Sequence, residues 1–152
     1  MSKIASALKI NDSIRVKTFE LASNKFKVKV PLSSEMEAIS ERIKSVPKEK
    51  VDARFDKMVN NVKQESVSGV EFVNDDIVID GKPMNLRDTC VSVIQMEQRI
   101  LEYFKLLIPE SGDFSDITYE DIEAEFPMSI QFEMLERITE SIQPGYKEAR
   151  KN

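Results

Sequence analysis

The chain of 152 residues has no histidine, no tryptophan, one cysteine and four glycines. Each shortage closes off chemistry. Histidine is the side chain whose ordinary pKa lets it change charge near neutrality, and it is the commonest metal ligand. Without it there is no Ser–His or Cys–His nucleophile pair, no histidine-bearing zinc site and no imidazole proton shuttle. Cys90 has no second cysteine to pair with, so no internal disulfide forms, and the sequence suits a reducing compartment. The glycines stand far apart, at Gly69, Gly81, Gly112 and Gly145, which leaves neither a GxGxxG turn nor a Walker-type phosphate loop. No run approaches the ~18 apolar residues of a membrane span. Met1 to Ile10 also lacks the apolar core of a secretory leader, so neither is expected.

What is present is a soluble composition: 41% hydrophobic, 32% charged, net charge −5. The length suggests one domain, expected over 1–146, with a short polar tail at 147–152. Such a chain buries roughly 68–70% of its unfolded surface, enough for a core without staples. Charge is unevenly placed. Through Val30 there are seven basic and two acidic residues; from Glu110 to Glu125 there are seven acids and no base. Such runs are solvated faces or pair between molecules, basic head to acidic tail. Self-association is the expectation drawn from the second reading.

The periodicities predict a mainly helical α+β fold with one or two small antiparallel hairpins. Ile4 to Ile10 suggests a short helix. Val16–Leu21 and Phe26–Val30 read as strands joined by a turn at Ala22 to Lys25. Phe26, Val28 and Val30 alternate there with Lys27 and Lys29. Ser34 with Glu37 matches a capping box for a helix ending before Pro47. A second helix is expected over 48–64, and a second hairpin from 67–73 and 77–79. Asp80-Gly81 follows as a turn. The longest helix is expected from Leu86 to Ile108, stopped by Pro109. After an acidic loop, Thr118 is placed to cap a short helix. A last helix is expected from Met128 to Ile142. Leu101, Phe104, Ile108, Phe132, Leu135 and Ile138 are expected to form one core between the long and last helices.

The chemical motifs are weak. The acids between Asp113 and Glu125 do not keep the spacing of a calcium loop. Glu133, Glu136 and Glu140 share a helix face, but di-metal bundles pair such glutamates with histidine. Cys90 sits in an apolar stripe and reads as a small buried hydrophobe. Lys25, Lys27 and Lys29 read as the wet face of an edge strand, and the acidic whole argues against nucleic acid. No cofactor, metal or catalytic residue is expected. Met128, Phe132, Met134 and Leu135 crowd apolar groups onto more than one face of the last helix. They are the candidate partner-binding residues, for a partner helix.

The stretch Thr18-Phe-Glu-Leu-Ala-Ser-Asn-Lys-Phe-Lys-Val-Lys-Val-Pro-Leu-Ser-Ser-Glu-Met-Glu-Ala-Ile resembles the opening of tail assembly chaperones of long-tailed bacteriophages. The acidic helix Tyr119 to Phe126, Pro127, the helix Met128 to Ile142 and the tail with Pro144, Tyr146 and Lys147 are similar too. The likeness covers roughly the two ends; no motif in it is catalytic. It implies a non-enzymatic role in the host cytoplasm, binding the tape-measure protein and recruiting major tail subunits during tail morphogenesis. A structural tail-completion or connector subunit of the virion remains the alternative. A lysine- or carboxylate-dependent enzyme is a third reading.

Overall fold

The computed structural model describes residues 3–65, 70–73 and 76–143. The fold is α+β and mainly helical, as the periodicities predict, with two small antiparallel sheets. Tertiary contacts divide the chain into two compact units, Met1–Ile39 with Ile100–Asn152, and Ser40–Arg99. The polar tail expected over 147–152 lies outside the described residues.

In the first unit, α1 (Lys3–Ala7) and a 3₁₀ turn (Asp12–Arg15) lead into strands β1 (Val16–Leu21) and β2 (Asn24–Lys29). The strands pair antiparallel with Phe19 opposite Phe26. Alternation sends Leu21 and Val28 into the core and leaves Lys25, Lys27 and Lys29 exposed on the other face. The turn is tighter than expected. Only Ala22 and Ser23 connect the strands, at φ 51° and 65°, the left-handed pair that matches strand twist.

Helix α2 (Ser33–Lys44) begins one residue too early for the expected capping box. Ser34 therefore lies within the first turn, where its hydroxyl cannot act as the cap. The capping acceptor is Glu35, whose carboxylate takes the Leu32 N–H at 2.8 Å. Arg15 pairs with the same carboxylate and donates Nε to the Val30 carbonyl at 3.1 Å. One arginine thus ties the 3₁₀ turn, the end of the hairpin and the start of a helix.

The largest correction concerns α4 (Leu86–Phe104), expected to run to Ile108. It stops at Phe104, and Leu107–Ile108 form strand β6 beside β2, with Lys27 opposite Ile108. The Lys29 N–H reaches the Leu106 carbonyl at 2.9 Å. Pro109 has no N–H to extend a helix. The open edge of β2 supplies partners that a last helical turn would lack. β2 is consequently the central strand of the sheet, in the order β1-β2-β6, and not the edge strand its lysines suggest.

Helices α5 (Tyr119–Glu125) and α6 (Met128–Ile142) fall where expected. Thr118 and Asp121 form a reciprocal capping box: the Thr118 N–H donates to Asp121 Oδ2 at 2.9 Å, and the Asp121 N–H to Thr118 Oγ1 at 3.3 Å. α6 packs against β1 and β2. The expected six-residue core is only partly formed. Phe104 and Ile138 are buried, Leu101 and Leu135 half-buried, but Ile108 and Phe132 are exposed. Ile108 shares the wet face of the sheet with Lys27. Phe132 follows buried Gln131 by one residue, a turn of roughly 100° around the helix.

The second unit holds α3 (Lys48–Glu65), a sheet of β3 (Val70–Val73), β4 (Asp76–Ile79) and β5 (Lys82–Asn85), and most of α4. The expected hairpin is present as β3 and β4, the expected positions 67–69 lying outside the described residues; β5 is additional. Asp80 and Gly81, at φ 51° and 78°, turn the chain back so that Pro83 faces Val78 on an edge strand. Val51, Ile77, Leu86, Cys90 and Ile94 form its core, with Phe55, Met58 and Phe72 packed against them. Arg54 forks onto both oxygens of Glu97 at 2.8 Å. The Arg87 guanidinium lies 4.6 Å from the Phe55 ring centroid and pairs with Asp52.

Candidate functional site

A cavity of about 1130 Å³ opens in the first unit, and five of the eight phenylalanines line it: Phe19, Phe26, Phe104, Phe114 and Phe126. Four different parts of the chain deliver them. Phe19 and Phe26 face each other across the hairpin, and their rings stack at 5.4 Å and 23°. Phe104 is the last residue of α4 and Phe126 the C-cap of α5; these rings meet edge to face at 5.6 Å and 70°. Phe114 comes from the loop before α5.

That loop is held by Asp113, whose Oδ1 accepts the Ser115 N–H at 3.0 Å and the Ser115 hydroxyl at 2.5 Å. The two bonds hold the Asp113 carboxyl below its ordinary range. Buried Leu107, Ile122 and Met134 add aliphatic surface to the lining. Charge is arranged around the opening: Glu20, Glu110, Asp121 and Glu125 against Lys25 and Lys27. The capping box fixes Asp121 and the start of α5, so one side of the opening is set by local hydrogen bonds.

Behind the wall, buried Gln131 accepts from the Tyr119 hydroxyl at 2.9 Å and donates Nε2 to the Phe126 carbonyl at 2.9 Å. This buried glutamine locks the corner between α5 and α6, and with it the Phe126 backbone.

The four residues expected to bind a partner separate into two groups. Met128 and Phe132 are exposed and Leu135 is half-buried; their spacing of four and three residues puts them along one stripe of α6. Met134 is only 1% exposed and belongs to the groove lining, so it is not part of that outer stripe. Of the groove phenylalanines, periodicity marks Phe26 as a strand residue and Phe104 as a core residue, but none of the five as a binding residue. Phe114 was the available signal: an aromatic residue between Asp113 and Ser115, in a loop where neither helical nor strand periodicity explains it.

The arrangement suits apolar recognition with charge-set orientation. Aromatic walls accept aliphatic side chains, and the mixed rim favours a partner carrying charges at matching positions. Cys90 lies in the other unit, buried, and burial pushes its thiol up, away from the thiolate a nucleophile needs. Its sulfur is 3.4 Å from Met58 Sδ. Among the described residues no group of three or more acidic or cysteine side chains is placed to hold a metal ion. No helix among them is long and apolar enough to cross a membrane. Comparison with protein-family models, curated proteins and solved structures gives no match for this chain.

Proposed function

We propose that this protein is a non-catalytic assembly factor that receives an amphipathic helix in its phenylalanine-lined groove. The observation that carries the reading is the groove: five aromatic rings from four chain segments around about 1130 Å³, with charge of both signs at its mouth. That volume lies just above the roughly 300–1,000 Å³ of drug-sized sites and leaves room for several side chains of a helical turn. Helix-in-groove recognition needs such anchors at i, i+3, i+4 and i+7 and needs no covalent chemistry.

Together with the resemblance in the hairpin and in the C-terminal helices, this favours a tail assembly chaperone acting in the host cytoplasm. The groove holds helical segments of the tape-measure protein. The exposed Met128–Phe132–Leu135 stripe of α6 offers a second apolar surface for a major tail subunit.

Co-expression tests the reading. The tape-measure protein made with this chain should stay soluble and co-purify with it, and mass spectrometry of finished virions should not find this chain. A fixed copy number in virions would instead identify a structural tail subunit. Failure to co-purify with the tape-measure protein would remove the chaperone reading.

A further inference from the structure

A further exposed apolar surface lies at the start of the chain. α1 buries none of its residues; Ile4 is 73% exposed, Leu8 63% and Ile14 66%. Ile4 and Leu8 are four residues apart and share one face of the turn. A five-residue helix has little stability of its own in water, and aliphatic groups gain free energy on leaving it. The arm also carries charge of one sign: Lys3 and Lys9, and no acid through Ile10. The groove has the complementary character. It is aromatic inside, and its rim sets four carboxylates against two lysines. Within one copy no residue of the arm lines the groove, and the chain that follows the arm is held by the Asn11 cap on the 3₁₀ turn and by the Val30 N–H, which donates to the Arg15 carbonyl at 2.6 Å.

We propose that the N-terminal arm of one copy docks in the phenylalanine-lined groove of a second copy. Ile4 and Leu8 seat among the aromatic rings, and Lys3 and Lys9 meet the carboxylates of the rim. Each copy offers one arm and one groove, so the contact is heterologous and runs head to tail into a ring or an open filament. The inference rests on the groove being a binding surface, as in the proposed function. The arm is then a resident occupant that a helical partner displaces, and self-assembly and partner binding exclude each other at any one groove.

Charge exchange tests this on the full chain. Lys3→Glu/Lys9→Glu gives a copy whose arm and rim are both acidic. Glu110→Lys/Glu125→Lys gives a copy whose arm and rim are both basic. All four substituted side chains are exposed, and matching circular dichroism spectra would establish that each variant folds. In sedimentation velocity at about 200 μM protein the wild type should sediment as an oligomer, because assembly is concentration-driven. Each variant alone should sediment as a monomer, and their equimolar mixture should regain the oligomer. Leu8→Asp should abolish assembly without lowering the unfolding midpoint.

A monomeric wild type, variants that still assemble, or a mixture that stays monomeric would each overturn the proposal. Titrating the acidic-arm variant with an amphipathic helical peptide separates the two ideas. Peptide binding with no wild-type self-association removes the arm contact alone; self-association with no peptide binding removes the helix-receptor reading alone.

Discussion

The Tyr119 hydroxyl donates to Gln131 Oε1 at 2.9 Å inside the joint between α5 and α6. Gln131 passes the connection on through Nε2 to the Phe126 carbonyl, so a helix start, a helix end and a groove ring depend on one buried amide. Tyr119→Phe leaves that oxygen without this donor and should cost about 1–3 kcal/mol, the penalty of an unsatisfied buried group. Urea denaturation measures it. A loss within ordinary surface scatter, about 0.5 kcal/mol, would show that the bond does not hold the corner.

Phe104 and Phe132 should behave as opposites. Phe104 is buried against Phe126, and Phe104→Ala should cost about 3–5 kcal/mol. Phe132 is 45% exposed, and Phe132→Ala should lower stability by less than about 1 kcal/mol. Thermal or chemical unfolding of the two variants side by side makes the comparison. Equal losses would mean that α6 is turned differently on the sheet.

The hairpin turn invites stabilisation. Ala22 and Ser23 both occupy the left-handed region, which costs a residue with a Cβ about 1–2 kcal/mol. Ala22→Asn/Ser23→Gly supplies the residues that a two-residue turn favours and should raise stability by about 1 kcal/mol. An unchanged unfolding midpoint would contradict the turn geometry.

Glu35 makes the start of α2 sensitive to acid. The Leu32 N–H bond and the Arg15 charge hold its carboxyl below the ordinary range. A carboxyl depressed in the folded state contributes fully above its unfolded pKa, and that contribution is lost as pH falls through the folded value. The wild type should therefore lose stability on acidification through the carboxylate range more steeply than Glu35→Gln. Parallel pH profiles for the two would show that Glu35 carries no such linkage.

Much of the fold was legible where one period ran unbroken. α6 and the Thr118 cap match the expectation, because apolar spacing, Pro127 and a cap-type threonine before the helix agree; the reciprocal Asp121 bond emerges only in the structure. Where local signals competed, tertiary pairing decided. Leu107 and Ile108 continue the apolar face of α4, yet the open edge of β2 takes them as a strand. Pro83 argues against a strand, yet the Asp80–Gly81 turn places it at a sheet edge where no ladder N–H is needed. Glu35 rather than Glu37 caps α2, because the helix starts at Ser33 and Arg15 is brought alongside. The groove was the least legible feature. Its five phenylalanines lie far apart in sequence and share no period, so only the folded chain gathers them.

The phenylalanine-lined groove is proposed to receive an amphipathic helix. Fluorescence anisotropy tests it directly, using a labelled helical segment of the tape-measure protein titrated with wild-type protein and with Phe114→Ala. Phe114 is half-buried in the loop, so its truncation opens the groove while leaving the sheet and helices in place. The wild type should bind saturably and Phe114→Ala at least about tenfold more weakly, a difference of about 1.4 kcal/mol. Equal affinity for the two proteins, or no binding by the wild type, would contradict it.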